Sequence, residues 1–220
     1  MPVASDCTTV GAGISAAAAC ESRLVIRNLR SAHAGPVSLD LGAGECVAIV
    51  GESGSGKSVF LRMICDLDPC SGEVWLDGVD RQALCASAWR SRVVYQAAEP
   101  AWWEPTAAAH FTTTQLDFAH GLLPTLKLKP DILQTDLALV STGERQRLAL
   151  IRSLACQPKV LLLDEPTASL DPSTTLAMES LLRANLANGM SIMIVTHSDE
   201  QAERLALRRF RMVKGQLTQT

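Results

Sequence analysis

Long apolar runs are missing. No stretch approaches the ~18–20 consecutive apolar residues that a membrane-spanning helix needs, although apolar residues make up 47% of the 220-residue chain. Any membrane role is therefore expected to run through a partner. A basic excess is missing too: Lys and Arg number 20 against 23 Asp and Glu, a net charge of −3. That balance excludes a strongly positive surface steering the chain to nucleic acid or anionic lipid. Aromatics are scarce at 4%, and the 7 cysteines are scattered with no Cys-x-x-Cys pair. This excludes a zinc site or a disulfide framework and suits a reduced compartment. The first residues carry no cationic stretch ahead of an apolar one, so no signal peptide is expected.

What is present is enough apolar material for a core, organised in short runs. Residues 1–22 are rich in Ala, Gly, Ser and Thr without a period and read as a flexible extension. From Leu24 onward, residues 24–29 and 37–41 read as strands, 42–44 as a turn, and 45–50 as a buried strand ending in a Gly-rich loop. A helix is predicted from Lys57, and further strands at 74–76 and 93–95. Residues 98–140 lack strand signals, and Pro100, Pro105, Pro124 and Pro130 break their helical fragments, so they read as an inserted helical segment. A helix is predicted over 143–155. The apolar run 160–163 suits a parallel strand buried on both faces. Asp171-Pro172 opens another helix that Gly189 stops, and 192–195 is again a buried strand. Buried strands alternating with helices predict a parallel, layered α/β core.

Two segments carry recognisable chemistry. The stretch Gly51, Glu52, Ser53, Gly54, Ser55, Gly56, Lys57, Ser58, followed by Val59, fits G-x-x-x-x-G-K-[ST]. Glycines let such a loop fold into a concave nest of N–H groups, and the next helix aims its positive end at the same place. Lys57 suits β- and γ-phosphates, and the Ser58 hydroxyl suits Mg²⁺. The second segment is Asp164-Glu165-Pro166 at the end of the 160–163 run, the edge where open α/β sheets bind ligands. Asp164 is assigned to the Mg²⁺ shell. Glu165 is assigned to accept a proton from an attacking water or to orient it. His197, after another buried strand, suits a phosphate oxygen or the geometry around it. His33, His110 and His120 read in themselves as surface residues.

Further along lie Ser141-Thr142-Gly143-Glu144-Arg145-Gln146-Arg147, about twenty residues before the acid pair, and Ser169-Leu170-Asp171 just after it. This ordered series resembles the ATP-binding subunit of ABC transporters over nearly the whole chain from Leu24. The resemblance implies a P-loop ATPase core with an antiparallel β subdomain near the N-terminus and an inserted helical subdomain, spanning 23–220. It implies ATP and Mg²⁺ as cofactors and ATP hydrolysis driving solute transport through a separate integral-membrane permease. The implied active state is a homodimer, peripheral on the cytoplasmic face of the inner membrane, with no nucleic-acid partner. In it Ser141, Gly143 and Glu144 close over the γ-phosphate held by the other subunit, and Asp171 belongs to the same nucleotide interface. Ser141 with Glu144 three residues on also reads as a capping box, and both readings can hold together. The compact length and this version of the signature segment lean toward small bacterial members linked with metal or iron export. Two rival readings are a non-transport ABC ATPase acting on nucleic acid or ribosomes, and a P-loop small-molecule kinase. The second leaves 141–147 and 169–171 without a role.

The sequence departs from the family at three places. Thr142 and Glu144 stand where Gly and Gln are usual. His33 falls at the aromatic position that stacks on adenine. Ala98 falls where the family places a Gln that contacts Mg²⁺, with Gln96 two residues earlier. Gln96 is read as the substitute and as a metal contact. A water or Glu99 filling the gap, or no such contact, are the alternatives. Of Trp102 and Trp103, at least one is expected in the core, and the other is a candidate for a groove that receives the permease.

Overall fold

Alternation with period two decides where each buried strand sends its side chains, and here it builds two cores on the two faces of one sheet. The computed structural model describes residues 22–220. Strands β1 (Ser22–Arg30), β2 (Val37–Gly42), β4 (Ser71–Leu76) and β5 (Val79–Asp80) form an antiparallel sheet in the order β2-β1-β4-β5. A second sheet comprises β3 (Cys46–Val50), β6 (Val93–Gln96), β7 (Val160–Asp164), β8 (Ser191–Val195), β9 (Arg208–Val213) and β10 (Gln216–Gln219). Its order is β10-β9-β3-β8-β7-β6, parallel throughout except for the β9–β10 hairpin.

Strands β3, β7 and β8 are buried at every position. Val47, Ile49, Val160, Leu162, Met193 and Val195 face one core, shared with Phe60, Leu61 and Ile64 of α1 (Lys57–Ile64) and with the inner face of the antiparallel sheet. Cys46, Ala48, Leu161, Leu163, Ile192 and Ile194 face the other. That second core is closed by α4 (Thr142–Ala155), α5 (Pro172–Ala187), α6 (Asp199–Leu205) and the segment before α4. Short helix α2 (Ala86–Arg90) contributes Trp89, whose indole N–H donates to the Ile64 carbonyl at 3.0 Å and covers the end of α1.

The expected elements form with shifted edges. Glu45 stays outside β3 because its carboxylate accepts the Gly42 N–H at 2.7 Å and pairs with Arg208 at 2.6 Å. Ser22 already belongs to β1, opposite Gly42, so the boundary drawn after residue 22 moves back; the rest of the expected extension lies outside the described residues. The insertion holds a single α-helix among the described residues, α3 (Thr113–Leu122), opened by a Thr112–Gln115 capping box, with one-turn 3-10 segments on either side. Its remaining backbone is irregular but anchored, with Ala107, Leu123, Leu126 and Leu133 in the core and the Leu137 N–H donating to the Pro105 carbonyl at 2.8 Å.

Candidate functional site

The parallel register brings the C-terminal ends of β3, β6, β7 and β8 to one edge of the sheet. After β3 the chain turns through Gly51, Gly54 and Gly56 at φ 152°, 76° and 105°, a region that glycine enters without steric cost. Space matters as much as φ: a Cβ on Gly51 would lie 2.4 Å from the Met212 carbonyl oxygen of β9. Gly56 caps α1, and no side chain satisfies the first-turn N–H groups. Those donors are therefore left for a ligand. They border a cavity of about 350 Å³ lined by His33, Ser53, Gly54, Gly56, Lys57, Ser58, Val59 and Glu165. The Lys57 ammonium donates to the Gly51 and Glu52 carbonyls at 2.7 and 2.8 Å. Burial lowers its pKa, while the charges of Glu165 and Asp164 act in the opposite sense.

The acid pair stands beside this cradle. Asp164, the last residue of β7, is only 3% exposed. Its Oδ2 accepts from the Tyr95 hydroxyl at 2.9 Å, and its Oδ1 is buried with no partner among the described residues. Glu165 follows at φ 47°, with its N–H donating to the Val195 carbonyl at 2.9 Å. This turn takes its carboxylate out of the strand's alternation and sets Oε1 2.7 Å from His197 Nε2. A buried carboxylate oxygen without a donor is the atom a hard cation satisfies. The Asp164 Oδ1 and the Ser58 hydroxyl thus fit Mg²⁺. Among the described residues no three His, Cys, Asp or Glu side chains converge as a metal cage.

Gln96 is corrected. Val93 and Tyr95 face the α1 side of the sheet, whereas Val94 faces the insertion side, and alternation sends Gln96 with it. The Gln96 amide donates to the Gln146 carbonyl of α4 at 3.4 Å and does not touch Asp164. From β6 it is Tyr95 that reaches the acid. Strand β6 ends at Gln96, so Ala98 lies beyond its alternation. Ala98 and Glu99 instead line a cavity of about 680 Å³ with Trp102, Thr142, Gln146 and Glu165.

Ser141, Gly143, Glu144 and Asp171 do not line the P-loop cavity of their own chain. Ser141 caps α4: its hydroxyl donates to Glu144 Oε2 at 2.6 Å and accepts the Glu144 N–H at 3.3 Å. Those bonds from Ser141 hold the Glu144 carboxyl below its usual pKa. A Cβ on Gly143 would meet the Ser169 carbonyl at 2.9 Å, so this glycine lets α4 approach the loop that follows the acid pair. Asp171 caps α5, accepting from the Ser173 and Thr174 N–H groups at 2.9 and 3.0 Å and from both hydroxyls. These bonds, the hydroxyls of Ser173 and Thr174 first, hold its pKa well below the carboxylate range. Trp102 packs against the core, while Trp103 is 72% exposed, and Arg152 lies over the Trp102 ring at 4.1 Å. The residue that motif reading missed is Tyr95. The sequence marked it only as the lone tyrosine of the chain, on a predicted strand; that this strand lies beside the acid pair is set by the tertiary structure.

A family model described as ABC transporter matches residues 34–168. Protein STAR1 of Oryza sativa subsp. japonica is 36% identical over 87% of this chain, and the chain spans 60% of that relative's length. The Thiamine import ATP-binding protein ThiQ of Escherichia coli is 33% identical over 82% of each chain. A dimeric ATP-binding cassette solved in a post-hydrolysis state with ADP and Pi shares the fold, with a TM-score of 0.78 at 24% identity, covering 89% of this chain and 98% of that one. With the phosphate cradle, the acid pair and the signature helix in the family's order, the chain belongs to the ABC transporter family, as its ATP-binding domain.

Proposed function

We propose that this protein binds and hydrolyses ATP and that hydrolysis powers solute transport through a separate membrane permease. The observation that carries the reading is the meeting of an N–H cradle, with Lys57 across it, and the Asp164–Glu165 pair at one sheet edge. The cradle and Lys57 hold the phosphates, and His33, on the cavity wall, stacks on the base. Ser58 and Asp164 hold Mg²⁺, which neutralises charge on the β- and γ-phosphates when bound. Glu165 takes the proton of the attacking water, and His197 orients Glu165 through the 2.7 Å contact.

The exposed Ser141 and the half-buried Gly143 stand away from the P-loop cavity of their own chain. This supports service to a second copy, so that two ATP lie between two subunits. No described helix is long and apolar enough to cross a membrane. The route is supplied by an integral-membrane permease, with this chain peripheral on the cytoplasmic face of the inner membrane. Two measurements test the reading. Lys57→Ala should abolish binding in a fluorescent-ATP titration, and unchanged affinity rejects the cradle. Affinity purification of the tagged chain should recover a multi-span membrane protein, and recovery of nucleic acid or ribosomes in its place rejects the transport role.

A further inference from the structure

We propose that Tyr95 is a positioning residue for the metal-binding acid: its hydroxyl occupies one oxygen of Asp164 and presents the other to the Mg²⁺ that accompanies nucleotide. The proposal rests on the nucleotide-binding reading above. Strands β6 and β7 run parallel with Tyr95 opposite Leu162. Leu162 and Tyr95 share the α1 face of the sheet. Asp164 lies two residues beyond Leu162, so alternation returns its side chain to that same face, beside the cradle. A phenol carries its donor at the end of a rigid ring and bridges this step along the sheet. The hydroxyl meets Asp164 Oδ2 at 2.9 Å.

The two carboxylate oxygens are thereby made unequal. Oδ2 has its donor; Oδ1 is buried and has none among the described residues. A buried carboxylate oxygen left without a donor is costly, and a cation removes that cost. The phenol donates a single hydrogen bond, so it orients the carboxylate without competing for the second oxygen. No other side chain of β6 does this, because Val93 and Val94 are apolar and Gln96 turns to α4. Outer groups that orient a metal-binding side chain commonly change metal affinity by about 10–100-fold when removed.

The test is calorimetric titration of ADP into the full chain, in EDTA and then across a series of Mg²⁺ concentrations. Tyr95→Phe keeps the ring and removes only the hydroxyl. It should leave affinity in EDTA unchanged and raise the Mg²⁺ concentration at half-effect about tenfold or more. On an Asp164→Asn background the same change should add no further shift. A wild-type Mg²⁺ midpoint for Tyr95→Phe overturns the proposal. So does an equal loss of affinity in EDTA and in Mg²⁺, which marks a role in the fold alone. Failure of the wild-type chain to bind ADP under either condition instead sinks the nucleotide reading, and the assignment of Tyr95 with it.

Discussion

Replacing Glu165 by Gln exchanges one oxygen for an amino group and leaves the local frame intact. The residue sits at φ 47°, where Gln is no more strained than Glu, and its N–H keeps the Val195 carbonyl at 2.9 Å. The amide oxygen still accepts from His197 Nε2, now 2.7 Å from the carboxylate. What is lost is the capacity to take a proton. General-base assistance is worth about 10²–10⁴-fold, so the barrier should rise by about 2.7–5.4 kcal/mol at about 1.36 kcal/mol per tenfold. In the proposed site nucleotide affinity rests on the N–H cradle and Lys57, so it should change by less than about threefold, or about 0.65 kcal/mol. The assay is single-turnover phosphate release from ATP with enzyme in excess, paired with a fluorescent-ATP titration. Size-exclusion chromatography with ATP and Mg²⁺ should then show a persistent dimer. A release rate within about threefold of wild type at unchanged affinity refutes the assignment, because the water is then losing its proton to another group.

Gln96→Ala should reduce stability by about 1 kcal/mol through loss of its contact with the Gln146 carbonyl, without moving the Mg²⁺ dependence of nucleotide binding; a shifted Mg²⁺ midpoint in calorimetry would restore Gln96 as a metal contact. Trp103→Ala, at a site 72% exposed, should change stability by about 0.5 kcal/mol or less and, on the proposed transport role, weaken co-purification with a membrane permease while ATPase activity survives. Trp102→Ala should lower stability by up to about 3 kcal/mol, since it packs on the core beneath Arg152; equal denaturation midpoints for the two variants would contradict that division. Asp171 has a depressed folded-state pKa, so the stability it lends α5 is full above the unfolded carboxylate value of about 3.9 and declines as pH falls toward the folded value. Asp171→Asn should flatten that part of the pH dependence of denaturant melts, and an unchanged profile would show the cap to be uncoupled from unfolding.

The features legible in the sequence are those whose physics is local to a short stretch of chain. The glycines of 51–56 announce a backbone other residues cannot adopt, the apolar run 160–163 announces a doubly buried strand, and Ser141 and Asp171 announce helix starts. Each requires only neighbours along the chain, so the cradle, the acid pair and their order along the chain were determined before any tertiary contact was known. The same locality explains the weak reading of the insertion. Its four prolines remove helical periodicity, and burial of Ala107, Leu126 and Leu133 against distant strands, not a local pattern, holds it in place.

Tertiary structure alone decided which side chains meet. Tyr95 and Asp164 are 69 residues apart, and their contact depends on β6 lying beside β7 in a particular register. The Glu165–His197 contact depends likewise on β7 lying beside β8. The fate of Gln96 turned on where β6 ends and which face is its own, and a difference of one residue exchanges the two faces of a strand. Sequence spacing does not specify strand order or register. Those are set by how two cores pack on the two faces of one sheet, and with them the residue that touches Asp164.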